Sequence, residues 1–546
     1  MAYGVASQTI LAYLIAAVRQ RGVERALGII RAGEIEWRTW REIMDDVARL
    51  ASQIRAAGVQ TGDRVAQISE NRYEWVISDL ALHLAGAVHV PIHVTLSGEQ
   101  IAAQIAESGS RLVFVSSAEM LAKFSDRLSH GETVFVHDEQ TYGEEKPPLG
   151  DSELALTLGS AGASPSHAMP DDLATILFTS GTTGRPRGVM LSQRNLASNA
   201  AAMADALGSG CDHTRLNILP FSHVYARTCD LYTWVYRGSR LVLGEGRETL
   251  VRDCQLVRPT VLNAVPYLYQ RIADRIRVSD EADEAAALAA TFGGHVKQLC
   301  CGGAALAADV EAWYADRGMP ILPGYGMTEA SPVISVSTPS ARKSGSVGRP
   351  LAGVEVRIAD DGEVLARGPN LMLGYWQDEA ATAEVIRDGW LHTGDLGELD
   401  AEGFLTIRGR KKELIVLSTG KKVSPTRVES LLTASPLVDQ VAVFGEGRAV
   451  LVALVVPAAC GLAHNSGELR AKLTAEINLC LAAAAHEEQV RDFAILDRPF
   501  SIERGELTPK LSLRREVIAR NFAVELATVG VTPRTELASQ ATRLSH

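Results

Sequence analysis

A run of small hydroxyl-bearing and glycine residues follows a short apolar stretch near residue 178 of this 546-residue chain. It reads TSGTTGRPRG and spans residues 179–188. Backbone N–H groups in a glycine-rich turn can converge on an anion, and neighbouring hydroxyl groups add donors. No Lys-Ser or Lys-Thr follows the second glycine, so the run differs from the phosphate loop of P-loop enzymes. We therefore predict a phosphate-binding loop of another design, formed by Thr179, Ser180, Gly181, Thr182, Thr183, Gly184 and Arg187.

Three further segments contain residue types that suit a nucleotide. Glu329 lies in PGYGMTEASP, and a magnesium–nucleotide site often takes only one or two carboxylates. Asp395 lies in WLHTGDLGEL, and an ionised carboxylate is an acceptor-only partner that suits a diol. Gly302 and Gly303 lie in CGGAAL and would let the backbone approach a flat ring closely. Taken singly, these residues fit ordinary turns and helix caps as well.

These segments together resemble the signature motifs of the adenylate-forming superfamily. That superfamily includes acyl-CoA synthetases, firefly luciferase and the adenylation domains of peptide synthetases. The motifs occur in the family's order and span residues 25 to 520, nearly the whole chain. Their joint occurrence is far more specific than any one of them.

The resemblance implies an ATP site with residue-specific roles. Tyr325 would pack on adenine, Thr328 would bind the α-phosphate and Glu329 would help to hold Mg²⁺. Asp395 would accept hydrogen bonds from the ribose hydroxyls, which Arg410 of IRGRKKELIV would also contact. The remaining residues expected to line the nucleotide site are Gly302, Gly303, Ala304, Gly324, Gly326 and Met327.

Two more residues are assigned to catalysis by the resemblance. Lys510 lies in GELTPKLSLRREV, which resembles the segment with the family's catalytic lysine. Long-chain fatty acyl-CoA synthetases often have a threonine there and a lysine two places later, where this chain has Ser512. His223 lies in LPFSHVYARTCDLY, at the position that gates substrate entry in the family, although a lone histidine is usually structural.

The chain departs from the family pattern at three positions. Arg187 replaces the usual lysine of the loop, which keeps the charge but changes the shape of the cation. Ala305 stands where proline is more frequent. Ala226 stands where long-chain enzymes often have glutamate, which leaves the substrate class open.

The implied reaction joins a carboxylic acid to coenzyme A with ATP and Mg²⁺. The resemblance implies a fatty acid as substrate, and a long-chain one, because residues 69–101 and 487–509 look most like long-chain fatty acyl-CoA synthetases. The alternatives are a medium-chain or aryl acid, a carrier-protein thiol as acceptor, and a catalytically silent sensor with the same fold. We expect no nucleic-acid partner, since the net charge is −11.

Apolar β-branched runs alternate with Ala/Leu-rich helical ones, which indicates parallel sheets covered by helices. We predict strands at 64–68, 88–92, 111–115, 175–178 and 240–242, and helices at 75–85, 195–207 and 309–315. With the resemblance, this gives an α/β fold. A large N-terminal domain would include a small β-barrel-like part, and a small mobile C-terminal domain would be α+β.

The domain boundary is expected in the charged run RGRKKE. We predict a large domain over 1–408, a hinge over 409–412 that contains Lys412, and a small domain over 413–546. Seven cysteines without CxxC pairs suggest a reducing compartment. The apolar run 10–18 precedes its arginines, the wrong order for a signal peptide, so we expect a cytoplasmic protein. Weak contact with the inner-membrane surface and the oligomeric state stay open.

Overall fold

The computed structural model describes most of the chain, with gaps at both termini and at several internal segments. The described residues are 9–128, 132–139, 169–179, 186–208, 210–246, 248–279, 283–458, 466–501, 504–507 and 513–529. They form two compact units. The first comprises residues up to 359 with 365–393 and 399–406, and the second comprises 360–364, 394–398 and the chain from 407 onward.

The first unit contains two large mixed sheets. Within the described residues, the larger sheet has nine strands, and its central strands are parallel while its edge pairs are antiparallel. In spatial order these strands are Arg349–Pro350, Val333–Val336, Ile321–Gly326, Gln298–Cys301, Val261–Ala264, Thr214–Asn217, Arg240–Leu243, Arg25–Arg31 and Glu34–Thr39.

The second sheet of this unit has seven strands in the part of the chain that is described. In spatial order they are Gly374–Tyr375, Arg187–Ser192, Leu173–Thr179, Val88–Ile92, Arg64–Ile68, Leu112–Val115 and Thr133–Val136. The first three pair antiparallel and the rest parallel. The predicted strands at 64–68 and 88–92 are confirmed with the same bounds.

Helices cover these sheets, as the alternating pattern predicts. The α-helices of the first unit are Ile10–Arg21, Trp40–Ala56, Tyr73–Ala85, Gly98–Ser108, Ala118–Ala122, Gln193–Ala206, Val224–Ala226, Thr233–Arg237, Leu250–Val257, Pro266–Arg277, Glu284–Thr291, Ala308–Asp316 and Glu379–Val385. Ser192 caps the helix Gln193–Ala206 by accepting from the Asn195 N–H.

The segment after the two large sheets consists of short strands. These are Glu355–Ile358, Glu363–Arg367, Ile386–Arg387, Trp390–Leu399 and Leu405–Arg410. Within the first unit, Arg387 pairs antiparallel with Trp390. A turn precedes the last strand, with the Gly403 N–H donating to the Asp400 carbonyl.

The second unit contains a small sheet with an apolar layer on each face. Val438–Phe444 pairs antiparallel with Leu451–Pro457, which pairs parallel with Val490–Ile495. Successive side chains of a strand point to opposite faces, so Val452 and Val455 belong to different apolar clusters. Ile415–Val416 pairs with Lys422–Val423, and the α-helices are Pro425–Thr433, Ser466–Cys480, Arg515–Asn521 and Ala523–Thr528.

The α/β fold class with an additional C-terminal α+β part is therefore confirmed. The prediction of parallel-type sheets holds for the sheet centres, whereas the edges are antiparallel. Among the described residues, we find no helix whose length and apolar character would let it cross a membrane.

Candidate active site

Two antiparallel strands flank the predicted phosphate loop. Leu173–Thr179 ends at the loop, and Arg187–Ser192 begins after it. Thr179 pairs with Arg187 in the register, and its hydroxyl donates to the Arg187 carbonyl at 3.5 Å. The five predicted residues from 180 to 184 lie outside the described residues. The hairpin thus brings the first and last predicted loop residues side by side.

Glu329 lies in a turn that packs tightly against the chain that follows it. The turn is the short 3₁₀ helix Thr328–Ala330, which follows the strand Ile321–Gly326. A Cβ atom on Gly326 would lie 1.9 Å from the Pro332 carbonyl oxygen, so only glycine fits there. This close approach places Glu329 in the interior, with 9% of its surface exposed.

The phenol of Tyr375 joins Glu329 to the loop hairpin. Its hydroxyl donates a 2.9 Å hydrogen bond to Glu329 Oε1. The Arg187 guanidinium lies over the Tyr375 ring, 5.3 Å from its centroid, and Arg187 Nε lies 3.9 Å from Asp378 Oδ2. Burial and the Glu329 carboxylate raise the pKa of Tyr375, which keeps the phenol protonated as a donor. We call these four residues, Arg187, Glu329, Tyr375 and Asp378, the Glu329 cluster.

The two predicted adenine-side segments lie at the carboxyl ends of neighbouring parallel strands. Cys301 pairs with Pro323 in the register. The first strand ends at Cys301, whereas the second continues to Gly326 and pairs antiparallel with Val333–Val336. Ligands of open α/β sheets bind at this carboxyl edge. Gly303 adopts a φ of +86°, which favours glycine. Ala304 is exposed, and Tyr325 and Met327 pack against the core with their side chains partly buried.

His223 lies where two sheets meet, at the start of the helix Val224–Ala226. Its ring is edge-on to the ring of His93, with centroids 5.0 Å apart. The neighbouring Tyr225 ring faces the adenine-side segment, since a Cβ atom on Gly302 would lie 3.2 Å from Tyr225 Cζ. The structure therefore places the His223 ring against His93, and the ring of Tyr225, two residues further along the chain, against Gly302.

A buried ion pair holds the segment that follows His223. That segment is the π-helical turn Arg227–Tyr232, and Arg227 pairs with Asp79 at 2.5 Å. His89 Nδ1 lies 2.7 Å from the same carboxylate. Burial alone would raise the pKa of Asp79, but the Arg227 charge and the His89 hydrogen bond hold it well below its ordinary value. Single π-turns often occur at functional sites.

The predicted ribose residues lie together in the second unit. Arg410 Nε is 3.0 Å from Asp395 Oδ1, and Asp395 is buried while Arg410 is largely exposed. Lys412 lies in the exposed turn Lys411–Glu413. Lys510 lies outside the described residues. Lys411, in the same charged run, forms ion pairs with Asp361 and Glu363.

Sequence reasoning missed Tyr375, His93 and Asp378. Tyr375 reaches Glu329 only because the strand Gly374–Tyr375 pairs with Arg187–Ser192, far away in the sequence. The local signal was weak, consisting of one aromatic residue beside a glycine in a segment without a recognised motif. Pairing between distant strands cannot be read from such a short segment.

Glu329 suits Mg²⁺ as a single protein ligand. Its Oε1 atom accepts from Tyr375, and a carboxylate has a second oxygen that can bind a metal. A single carboxylate fits Mg²⁺ that is held mainly by phosphate oxygens and water.

Comparison with known proteins identifies the family. The family profile described as "AMP-binding enzyme" matches residues 15–376, and "AMP-binding enzyme C-terminal domain" matches residues 412–529. The chain belongs to the AMP-binding enzyme family. The resemblance to adenylate-forming enzymes is thereby confirmed, and this AMP-binding enzyme falls among the acid–CoA ligases.

Two curated relatives differ in their substrates. The chain is 33% identical to the long-chain-fatty-acid–CoA ligase FadD15 of Mycobacterium bovis, covering 88% of this chain and 91% of that one. It is also 33% identical to a feruloyl-CoA synthase of an Amycolatopsis species, covering 74% and 80%. The relatives therefore show an acid–CoA ligase family but include both fatty and aryl acids.

A solved structure confirms the fold over almost the whole length. The O-succinylbenzoate coenzyme A synthetase of Bacillus subtilis, in complex with ATP and a magnesium ion, is 26% identical and has a TM-score of 0.75. The match covers 94% of this AMP-binding enzyme and 99% of that chain.

Proposed function

We propose that this chain is an ATP-dependent ligase that activates a long-chain fatty acid as an acyl-adenylate and transfers it to coenzyme A. The observation that carries the proposal is the Glu329 cluster, in which Tyr375 joins the predicted Mg²⁺ carboxylate to Arg187 beside the phosphate loop. The 33% identity to a long-chain ligase over 88% of the chain supports the substrate class.

The first step forms a mixed anhydride. A carboxylate oxygen of the acid attacks the α-phosphorus of ATP, the bond to the bridging α–β oxygen breaks, and pyrophosphate leaves. Bound Mg²⁺ would neutralise phosphate charge in this step. Arg187 is the first residue of the strand that follows the phosphate loop, and its positive charge there can stabilise the departing pyrophosphate. Positioning and charge stabilisation account for most of the catalysis.

The second step releases AMP. The thiol sulfur of coenzyme A attacks the acyl carbon, the acyl–phosphate bond breaks, and the thiol proton passes to solvent or a base. We assign Lys510 to the first step and Lys412 to a hinge between the two steps, on the family resemblance. Asp395 and its partner Arg410 would hold the ribose, and Thr328 the α-phosphate.

An aryl acid is the second candidate substrate. It is favoured by the feruloyl-CoA synthase among the relatives and by Tyr225, whose ring lies against Gly302 next to His223. An aromatic side chain can stack on a planar acid, whereas a long alkyl chain needs an extended apolar channel.

Free thiols at Cys300 and Cys301 fit the reducing cytoplasm that we propose as the location of this protein.

The test is a competition between acid classes. Purified protein is given ATP, Mg²⁺, coenzyme A and one acid at a time, from octanoate to stearate and then ferulate, and the CoA esters are separated by chromatography. We expect the highest kcat/KM for palmitate or a neighbouring long-chain acid. A preference for ferulate would replace the fatty-acid proposal. Ester formation only with a carrier-protein thiol would identify a different acceptor.

A further inference from the structure

Tyr375 contacts two residues of the proposed phosphate and magnesium site, Glu329 and Arg187, yet it belongs to none of the motifs that the resemblance assigns. It is 7% exposed. Its backbone lies in the strand Gly374–Tyr375, paired with Val189 of the hairpin strand. Its hydroxyl reaches Glu329 Oε1 at 2.9 Å. One side chain therefore joins a sheet edge to the turn that contains Glu329.

The ring is held on one face by a cation and along its backbone by hydrogen bonds. The Arg187 guanidinium lies 5.3 Å from the ring centroid. The Tyr375 N–H donates to Thr382 Oγ1 at 2.8 Å, and the next N–H, of Trp376, donates to the Gly188 carbonyl at 2.7 Å. These contacts restrict the ring, so its hydroxyl has a fixed position relative to Glu329.

The Glu329 backbone is fixed from the same segment. The Met372 N–H donates to the Glu329 carbonyl at 2.8 Å, three residues before Tyr375. Backbone position and carboxylate orientation are thus set by one stretch of chain. A hydrogen bond to one carboxylate oxygen fixes the rotation of the group and the direction of the other oxygen.

We propose that Tyr375 is a positioning residue, which orients the Glu329 carboxylate for magnesium–nucleotide binding. The inference rests on the proposed function, since it assumes an ATP site at Glu329. Groups that orient a metal ligand typically change metal affinity by about 10- to 100-fold when removed. Tyr375 thereby adds a residue outside the recognised motifs to the nucleotide site.

The chain provides a matched control for a buried tyrosine that bonds a carboxylate. Tyr73 is 3% exposed, and its hydroxyl donates to Asp46 Oδ2 at 2.7 Å between two helices, Tyr73–Ala85 and Trp40–Ala56. It contacts none of the nucleotide motifs through that bond. Tyr73→Phe removes the same chemical group from a purely structural setting.

The experiment measures ATP binding to the full chain by calorimetry, once with Mg²⁺ and once with EDTA. For Tyr375→Phe we expect the Mg²⁺-dependent gain in ATP affinity to fall about tenfold, while metal-free binding changes less than about twofold. Tyr73→Phe should leave both affinities unchanged. Tyr375→His, which keeps an aromatic N–H donor, should recover part of the gain and serves if the phenylalanine variant folds poorly.

The outcomes separate the two proposals. If the unmodified protein binds ATP with no dependence on Mg²⁺, the proposed function itself is wrong. If it shows that dependence and Tyr375→Phe retains it in full, only the positioning role is overturned. In a Glu329→Gln background, Tyr375→Phe should cause no further loss of Mg²⁺ dependence, because the ligand it orients is already gone. A further tenfold loss there would also contradict the inference.

Discussion

The hydroxyl of Thr228 donates a 2.9 Å hydrogen bond to the carbonyl of Ser331. Thr228 lies in the π-helical turn after His223, and Ser331 follows the turn that contains Glu329, so the bond joins the proposed acyl-side and nucleotide-side segments. Ser331 has a φ of +68°, an uncommon conformation for a residue other than glycine. The bond fixes the carbonyl of a residue whose backbone conformation is otherwise disfavoured.

Removing the Thr228 hydroxyl should raise the KM for ATP and lower the stability of the protein. We expect Thr228→Val to lower the free energy of unfolding by about 1–2 kcal/mol, because a buried carbonyl loses its donor. The KM for ATP should rise about threefold or more, because the turn that contains Glu329 loses one hydrogen bond that holds it in place. Urea unfolding and steady-state kinetics measure the two effects.

Thr233→Val is the matched control for this change. Thr233 lies just after the same turn, and its hydroxyl donates to carbonyls of that turn, among them Thr228 at 3.0 Å. Its loss should reduce stability similarly but leave the KM for ATP unchanged. An equal rise in KM for both variants would show that general loosening, rather than the bond to Ser331, is responsible.

Gly326 should tolerate no side chain. Gly326→Ala would place Cβ 1.9 Å from the Pro332 carbonyl oxygen, whereas the same change at Gly324 meets its nearest atom, the Ser335 oxygen, at 3.3 Å. We expect Gly326→Ala to destabilise the protein by about 2–3 kcal/mol, in the range of overpacking, because the clash is with backbone atoms of Pro332. Gly324→Ala should cost less than about 1 kcal/mol on the same scale. Thermal or urea unfolding measures the loss of stability in the two variants. Equal losses in both would contradict the prediction.

Local sequence patterns predicted the sheet centres well. The strands Arg64–Ile68 and Val88–Ile92 have the predicted bounds, because each is a short, mainly apolar run that is buried except at Arg64. The hydrogen bond that caps the helix at Ser192 joins residues only three apart in the sequence. The strand Arg187–Ser192 was missed, since its strand character depends on pairing with Leu173–Thr179 across the loop.

The site was predictable where its residues are contiguous in a motif and unpredictable where they meet through tertiary contacts. Thr179 and Arg187 flank one loop and could be grouped from the sequence. Tyr375 meets Glu329 from 46 residues away, and Arg227 meets Asp79 from 148 residues away. Nothing in a single sequence specifies which buried phenol or guanidinium a given carboxylate will meet.

Arg187 should be replaceable by lysine. Its contacts are a cation over the Tyr375 ring and an ion pair with Asp378 at 3.9 Å, and neither requires a bidentate fork. We expect Arg187→Lys to keep kcat/KM for ATP within about fivefold, or about 1 kcal/mol. Arg187→Gln should lose about 100-fold, the scale of one lost stabilising group. A loss of that size in the lysine variant would show that the planar guanidinium itself is needed.

Buried histidines should make the protein less stable in mild acid. Burial lowers the pKa of His83, His89 and His137 to about 4. Between pH 6.5 and 4 the unfolded chain therefore binds more protons at these sites, so stability falls as the pH falls, by up to about 3 kcal/mol per group.

Buried carboxyl groups act in the opposite direction. Burial raises the pKa of Asp230 to about 6, so the folded state binds a proton there before the unfolded state does. Burial also raises the pKa values of Asp45, Glu429 and Asp439. We expect the three histidines to outweigh these carboxyl groups, so urea unfolding should show lower stability at pH 4.5 than at pH 7. Asp230→Asn should steepen that fall. A protein equally stable at both pH values would contradict the proposed balance.

The central claim is tested most directly by the exchange of radioactive pyrophosphate into ATP in the absence of coenzyme A, measured with and without a carboxylic acid substrate. The account predicts exchange that requires both a long-chain fatty acid and Mg²⁺ and that falls at least about 100-fold in Glu329→Gln. Its CoA independence would isolate adenylate formation from transfer. Folded protein that binds ATP but shows no exchange with any fatty or aryl acid would contradict the assignment of this site as an adenylate-forming centre.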